Sequence, residues 1–212
     1  MSEQSVAVIV DIVGSRALVD RPVVQAGIQG AFAEVDDLIA VGSPFRATVG
    51  DEFQAVYPSV GVALEATLAA RLALPEGVDC RFGLGLGEVK EVGAGAAGPI
   101  QDGSGWWRAR EAIDEAHDRE DSRTPSLRGW FRAGPGDEAL EGTVNAYLLA
   151  RDHIVGAMSE RARRLTFGTM SGRVQSELAE IEGISQGAVS QALRRSGGMN
   201  LLAAVAQLKG LS

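Results

Sequence analysis

Hydrophobic and polar positions alternate between two periods along the first two thirds of the chain. The run VAVIVDIV, ending at Val13, is apolar and β-branched almost throughout and predicts a strand buried on both faces. Helical spacing follows from Pro22 to Val41. Two short strand patterns, 45–49 and 53–57, flank Gly50-Asp51-Glu52 and predict a β-hairpin. Residues 60–74 form an Ala/Leu-rich helix, 79–92 a strand interspersed with glycines, and 103–118 a further helix. The order β-α-β-β-α-β predicts an α+β fold of the split β-α-β, ferredoxin-like kind, an antiparallel sheet with helices on one face. Segment 93–105 is too glycine-rich for regular structure and is either a mobile surface loop or a ligand-contacting one.

A Gly/Pro turn cluster at Ala133-Gly134-Pro135-Gly136-Asp137 marks the expected boundary between a domain of residues 1–134 and an all-helical one of 137–212. In the second, residues 142–165 predict one amphipathic helix, able to form a dimer interface or to pack on its own domain. Residues 173–196 then read as a helix-turn-helix. Ala179 is small where two helices would cross, Gly183 suits a left-handed turn, Leu178, Ile184, Val189 and Leu193 supply a shared core, and Ser185 is a natural N-cap. In such a unit the start of the second helix meets base edges, which nominates Ser185, Gln186, Ser190 and Gln191 as readers. Arg173, Arg194 and Arg195, with Arg161, Arg163 and Arg164 upstream, would hold phosphates. A packed helix pair without a DNA role is the alternative. One such unit binds weakly, so DNA binding implies a homodimer reading two half-sites.

Composition changes this picture little. Of 212 residues 45% are hydrophobic and 23% charged, ordinary for a globular chain, and no apolar run approaches the roughly 20 residues of a membrane span. The N-terminus lacks a signal peptide's basic region and cleavage site, so a cytoplasmic protein with no membrane partner is expected. The single cysteine, Cys80, lies in an alternating apolar stretch and reads as a small buried hydrophobe. Charge matters more. The net value of −8 disfavours nucleic acid, but residues 151–212 carry eight basic and five acidic side chains, net +3, so the excess acidity belongs to the first part.

Asp11 ends the first strand and Asp51 sits at the hairpin tip, so pairing the hairpin beside that strand would join two carboxylates at a sheet edge. Two like charges there suit a cation such as magnesium or manganese, which takes one or two carboxylates and completes its shell with waters and phosphates. The N–H groups of Ile12, Val13, Gly14, Ser15 and Arg16 lead toward a helix and suit a triphosphate. The motifs VIVDIVGS, VGDEFQ and GLGLGEV with DGSGWWRARE resemble those of class III nucleotidyl cyclases. The combination of D-I-V-G-S-R and G-D-E-F-Q with C-terminal helices resembles the SatD family over nearly the whole chain.

The cyclase resemblance implies metal ligation by Asp11 and Asp51 with the Ile12 carbonyl, and the Gly-Asp-Glu-Phe signature adds Glu52. It also implies nucleotide contacts at Arg16 and Arg46, and charge stabilisation by Arg110. Trp106 stands where cyclases place a ribose-orienting asparagine, and Ala47 where they place a base-reading lysine. Trp106 and Trp107 read either as one core and one interface residue or as a base stack. His117 and His153 lack partners at ligand spacing. Together these features lead to a DNA-binding transcriptional regulator with a metal-dependent, nucleotide-binding sensory domain, or alternatively to a nucleotidyl cyclase or related phosphoryl-transfer enzyme.

Overall fold

A computed structural model describes residues 4–15, 20–39, 43–48, 51–95, 98–122 and 124–211. Its elements run β1 (Ser5–Ile12), α1 (Arg21–Leu38), β2 (Ser43–Ala47), β3 (Phe53–Tyr57), α2 (Val60–Ala73), β4 (Cys80–Gly87), β5 (Lys90–Gly95), β6 (Gly98–Asp102), α3 (Ser104–Ser122), β7 (Gly129–Arg132), α4 (Glu138–Gly156), α5 (Glu160–Met170), α6 (Gln175–Glu182), α7 (Gln186–Arg195) and α8 (Gly198–Leu208).

The main sheet has the order β2-β3-β1-β4-β7, with the apolar β1 at its centre. Strand β1 pairs antiparallel with β3 and β4, but β7 joins β4 in parallel, so the sheet is mixed and not wholly antiparallel as expected. The GWFR strand β7 is too short for its period to show in sequence.

Both faces of β1 are covered. Val6, Val8, Val10 and Ile12 pack with α1 and α2, whereas Ala7 and Ile9 pack against Ala109 and Ile113 of α3. Helices thus lie on both faces, which corrects the one-face expectation, and the glycines of β4 supply the reason. Phe82, Leu84 and Leu86 point into the α1/α2 core; Gly83, Gly85 and Gly87 alternate with them on the other face. A Cβ at any of these three would collide with the α3 backbone around Gly105 and Ala109. Their bareness lets α3 lie directly on the strand.

Segment 93–105 is also more regular than expected, because β5 and β6 pair there as a separate antiparallel hairpin. The helix expected over 142–165 is broken after Gly156, and Ser159 caps the new helix α5 by accepting from the Ala162 N–H. Val144 and Leu148 of α4 join the sheet core, and Leu68 and Leu72 of α2 pack with Val155, Ala162, Leu201 and Val205. Helices α5, α6 and α7 share a small core of Leu165, Leu178, Ala179, Val189 and Leu193. Between α6 and α7, Gly183 takes a left-handed conformation (φ 64°), and the Ser185 hydroxyl accepts from the Ala188 N–H.

Candidate functional site

Asp11 occupies the last turn of the β1 pleat that faces α3, opposite Arg81 of β4 in the register. Its Oδ2 lies 3.5 Å from an Arg81 guanidinium nitrogen, while Oδ1 is buried and has no hydrogen-bond partner among the described residues. Burial raises the proton affinity of this carboxyl, Arg81 and His117 pull it down, and the nearby Asp51 carboxylate pushes it up again, for a net upward shift. Asp11 and Asp51 are therefore within electrostatic reach of each other.

Arg81 is held firmly. Its Nε donates to Glu120 at 2.5 Å, Glu120 pairs with Arg128 at 3.0 Å, and Arg128 with Asp79 at 2.6 Å. Asp79 then meets Arg71 at 3.5 Å, and Arg71 meets Asp152 of α4 at 2.7 Å. A chain of ion pairs so links the end of β1 to the helices that follow the sheet.

Glu52 is engaged within the chain: one of its oxygens accepts from Arg110 at 2.6 Å and the other from Gln54 at 3.0 Å. The cause is α3, which the bare face of β4 brings across the sheet and which sets Arg110 over the hairpin. Of the loop after β1, the Val13 N–H donates to the Asp79 carbonyl and is spent on the sheet, whereas Gly14 adopts φ 66° with open space around it. Ser15 accepts from Arg21 through its carbonyl at 3.2 Å, and Arg16 lies outside the described residues. Helix α1 is capped by Asp20, whose side chain accepts from the Val23 N–H. Arg46 reaches across to β6, its guanidinium over Gly98 and its Nε buried without a partner among the described residues.

Beside Glu52 and Arg110 opens a basin of about 460 Å³ lined by Ile9, Gln54, Gln101, Trp106, Trp107 and Arg110. Trp107 is 63% exposed, while the Trp106 indole N–H is buried. The pair thus divides into an inner and an outer residue. Ile9 and Asp11 lie on the same face of β1, so the basin and the Asp11 carboxylate are neighbours along one strand.

These donors fit one hard cation. Asp11 Oδ1 is buried and without a partner among the described residues, Asp51 is within electrostatic reach, and the Ile12 carbonyl is adjacent in the chain; magnesium or manganese needs few protein oxygens when phosphates supply the rest. Among the described residues no group of three or more His, Cys, Asp or Glu is arranged to hold a metal ion. Arg81, Glu120, Gln54 and Gln101 are the residues around the candidate site that sequence reasoning missed. For Arg81 a signal existed: it is the one charge inside the apolar β4 run CRFGLGLG.

On the C-terminal helices Ser185, Gln186, Gln191, Arg194, Arg195 and Arg173 are exposed. Ser190 is half-buried and accepts from Arg194 at 2.9 Å. Arg161 and Arg164 both clasp Glu182, and Arg163 donates to the Arg71 carbonyl. The described helices include none long and apolar enough to cross a membrane.

An α+β protein with a split β-α-β sheet and a carboxylate at the end of its central strand is the class defined by these features. The SatD family profile matches residues 5–204, and the chain belongs to that family. No curated protein matches it. Among solved structures, the chain is similar to a bacterial light-regulated adenylyl cyclase at 14% identity and a TM-score of 0.43, over 54% of this chain and 40% of that one. It is also similar to the adenylyl cyclase CyaB from P. aeruginosa at 13% identity and a TM-score of 0.39, over 56% of this chain and 81% of that one. The chain spans less than half the length of the first of these.

Proposed function

We propose that the sheet region binds a nucleoside polyphosphate through one divalent cation held by Asp11 and Asp51, and acts on it as a nucleotidyl cyclase-like phosphoryl-transfer protein. The supporting observation is the Asp11 carboxylate itself, half-buried within electrostatic reach of Asp51 and with one oxygen unpartnered among the described residues. Such a group is costly unless a ligand completes it. Magnesium or manganese would neutralise phosphate charge there. The chain's own groups do the rest. Asp11 and Asp51 hold the cation, the open backbone at Gly14 admits a phosphate, and the basin of Gln54, Gln101 and Trp107 takes the planar base. Arg110, half-exposed on α3 and lining the basin, adds positive charge for the phosphates while it keeps Glu52. Trp106, where cyclases carry asparagine, offers the sugar a surface in place of a hydrogen bond.

Incubating the protein with each ribonucleoside triphosphate and magnesium or manganese, followed by mass spectrometry, tests this reading. A cyclic or hydrolysed product that disappears in D11N is expected. Absence of product from every nucleotide with both cations contradicts phosphoryl transfer.

A second reading concerns the C-terminal helices, and one observation favours it. Helix α7 rests on a core shared with α5 and α6 and leaves Gln186, Gln191, Arg194 and Arg195 in solvent. That arrangement suits insertion in a DNA major groove by a homodimer and would make the chain a transcriptional regulator. Arg161, Arg163 and Arg164 are engaged within the chain, so phosphate contacts fall to Arg173, Arg194 and Arg195. Selection from random DNA followed by gel-shift is the test: Q186A is expected to relax sequence preference, and R194A to weaken binding to all sequences. No selected sequence at low salt would remove this reading.

A further inference from the structure

We infer that Arg81 is a positioning residue which restricts the Asp11 site to a single metal ion, standing itself in the place of a second positive charge. The inference rests on the cation reading given above. Phosphoryl-transfer sites with two ions place them about 3.5 to 4 Å apart, close enough for one carboxylate to contact both. Repulsion by the Arg81 charge opposes that use of Asp11. Its Oδ2 faces the Arg81 guanidinium at 3.5 Å, which leaves only Oδ1 without a partner among the described residues.

Arg81 is not free to withdraw. Its side chain is 10% exposed, it lies directly across from Asp11 in the β1–β4 register, and its Nε bonds Glu120 at 2.5 Å. Glu120 is braced in turn by Arg128 at 3.0 Å, and Arg128 by Asp79 at 2.6 Å. Moving Arg81 aside would leave Glu120 short of one of its two cations in a poorly solvated place, a costly change. Glu52, the third carboxylate expected to bind metal, is engaged on both oxygens by Arg110 and Gln54. Among the described residues the donors left are Asp11 Oδ1, Asp51 and the Ile12 carbonyl, enough for one ion. The fixed guanidinium adds positive charge on the other flank of Asp11 and so opposes a second ion there.

Counting bound manganese tests this directly. The full-length protein is titrated with manganese chloride alone, and unbound ion is read by electron paramagnetic resonance for wild type, R81Q and D11N. One ion per wild-type chain, two per R81Q chain and loss of binding in D11N are expected. The first ion should bind R81Q about tenfold more tightly, because a nearby like charge has gone. Two ions in wild type, or one in R81Q with unchanged affinity, overturns the role of Arg81 while leaving the cation site standing. No ion in wild type or R81Q overturns both. Should R81Q fail to fold, as circular dichroism would show, the wild-type count decides: two ions reject the proposal.

Discussion

Asp36 shows how far one partly buried acid can shift. Burial pushes its carboxyl up to about 6, and the Phe45 N–H, donating at 3.3 Å, only partly offsets that. Because the folded value lies above the unfolded one, the folded state binds the proton more readily. The associated stability is complete below about pH 4 and lost as the pH rises through about 6. The melting temperature of wild type should therefore fall over that range relative to D36N. The asparagine keeps an acceptor for Phe45 and should leave the two proteins alike near pH 4 and the variant more stable at pH 7. At this scale Asp11 and Asp51 were legible because a charge ending an apolar strand and a charge in a turn both break a local pattern. Their partners were not. Arg81 and Glu120 are 39 residues apart, and Glu52 meets Arg110 across 58, pairings fixed only when α3 crosses the sheet.

The glycines of β4 decide where that helix goes. In sequence CRFGLGLG is an alternating strand, and so it is, but alternation alone does not say that the bare face receives a helix backbone. G85A would drive a methyl group into the α3 backbone at Gly105 and Ala109 and is expected to cost at least about 3 kcal/mol in thermal or urea unfolding. G30A is the matched control. Gly30 lies inside α1 with nothing near its absent Cβ, and alanine there should stabilise by about 0.5 to 1 kcal/mol. Equal effects from the two would mean that α3 does not rest on β4. Long periodic elements were readable from their own residues: β1, α1, α2 and the hairpin of β2 and β3 form close to where the pattern puts them. Elements defined by tertiary pairing were not, notably β5 and β6, whose glycines disguise a hairpin, and β7, whose four residues hold no period.

Across the molecule, Asp152 ties the helices after the sheet to the sheet itself. Its carboxylate accepts from Arg71 at 2.7 Å and Arg151 at 2.8 Å, and from the backbone N–H groups of Arg128 at 2.6 Å and Gly129 at 2.7 Å. Burial alone would raise its proton affinity, but Arg151 and Arg71 outweigh it and hold the carboxyl below the ordinary range. Stability from this group is thus present at neutral pH and lost on acidification through that lowered value. D152N, which leaves two buried guanidinium groups short of their counter-charge, should cost about 3 to 5 kcal/mol in unfolding experiments at pH 7. A loss below 1 kcal/mol would mean that the network carries little of the link. Because the same chain of ion pairs reaches Asp11, a ligand bound at the end of β1 as proposed would act on a site anchored to the rest of the molecule.

Calorimetric titration of the full chain with each ribonucleoside triphosphate, in magnesium and in EDTA, tests the shared role of Asp11 and Asp51 most directly. Saturable binding of at least one nucleotide in magnesium is predicted, abolished by EDTA and weakened at least about tenfold, or about 1.4 kcal/mol, in both D11N and D51N. Equal affinity with and without the cation, or in wild type and both variants, would contradict it.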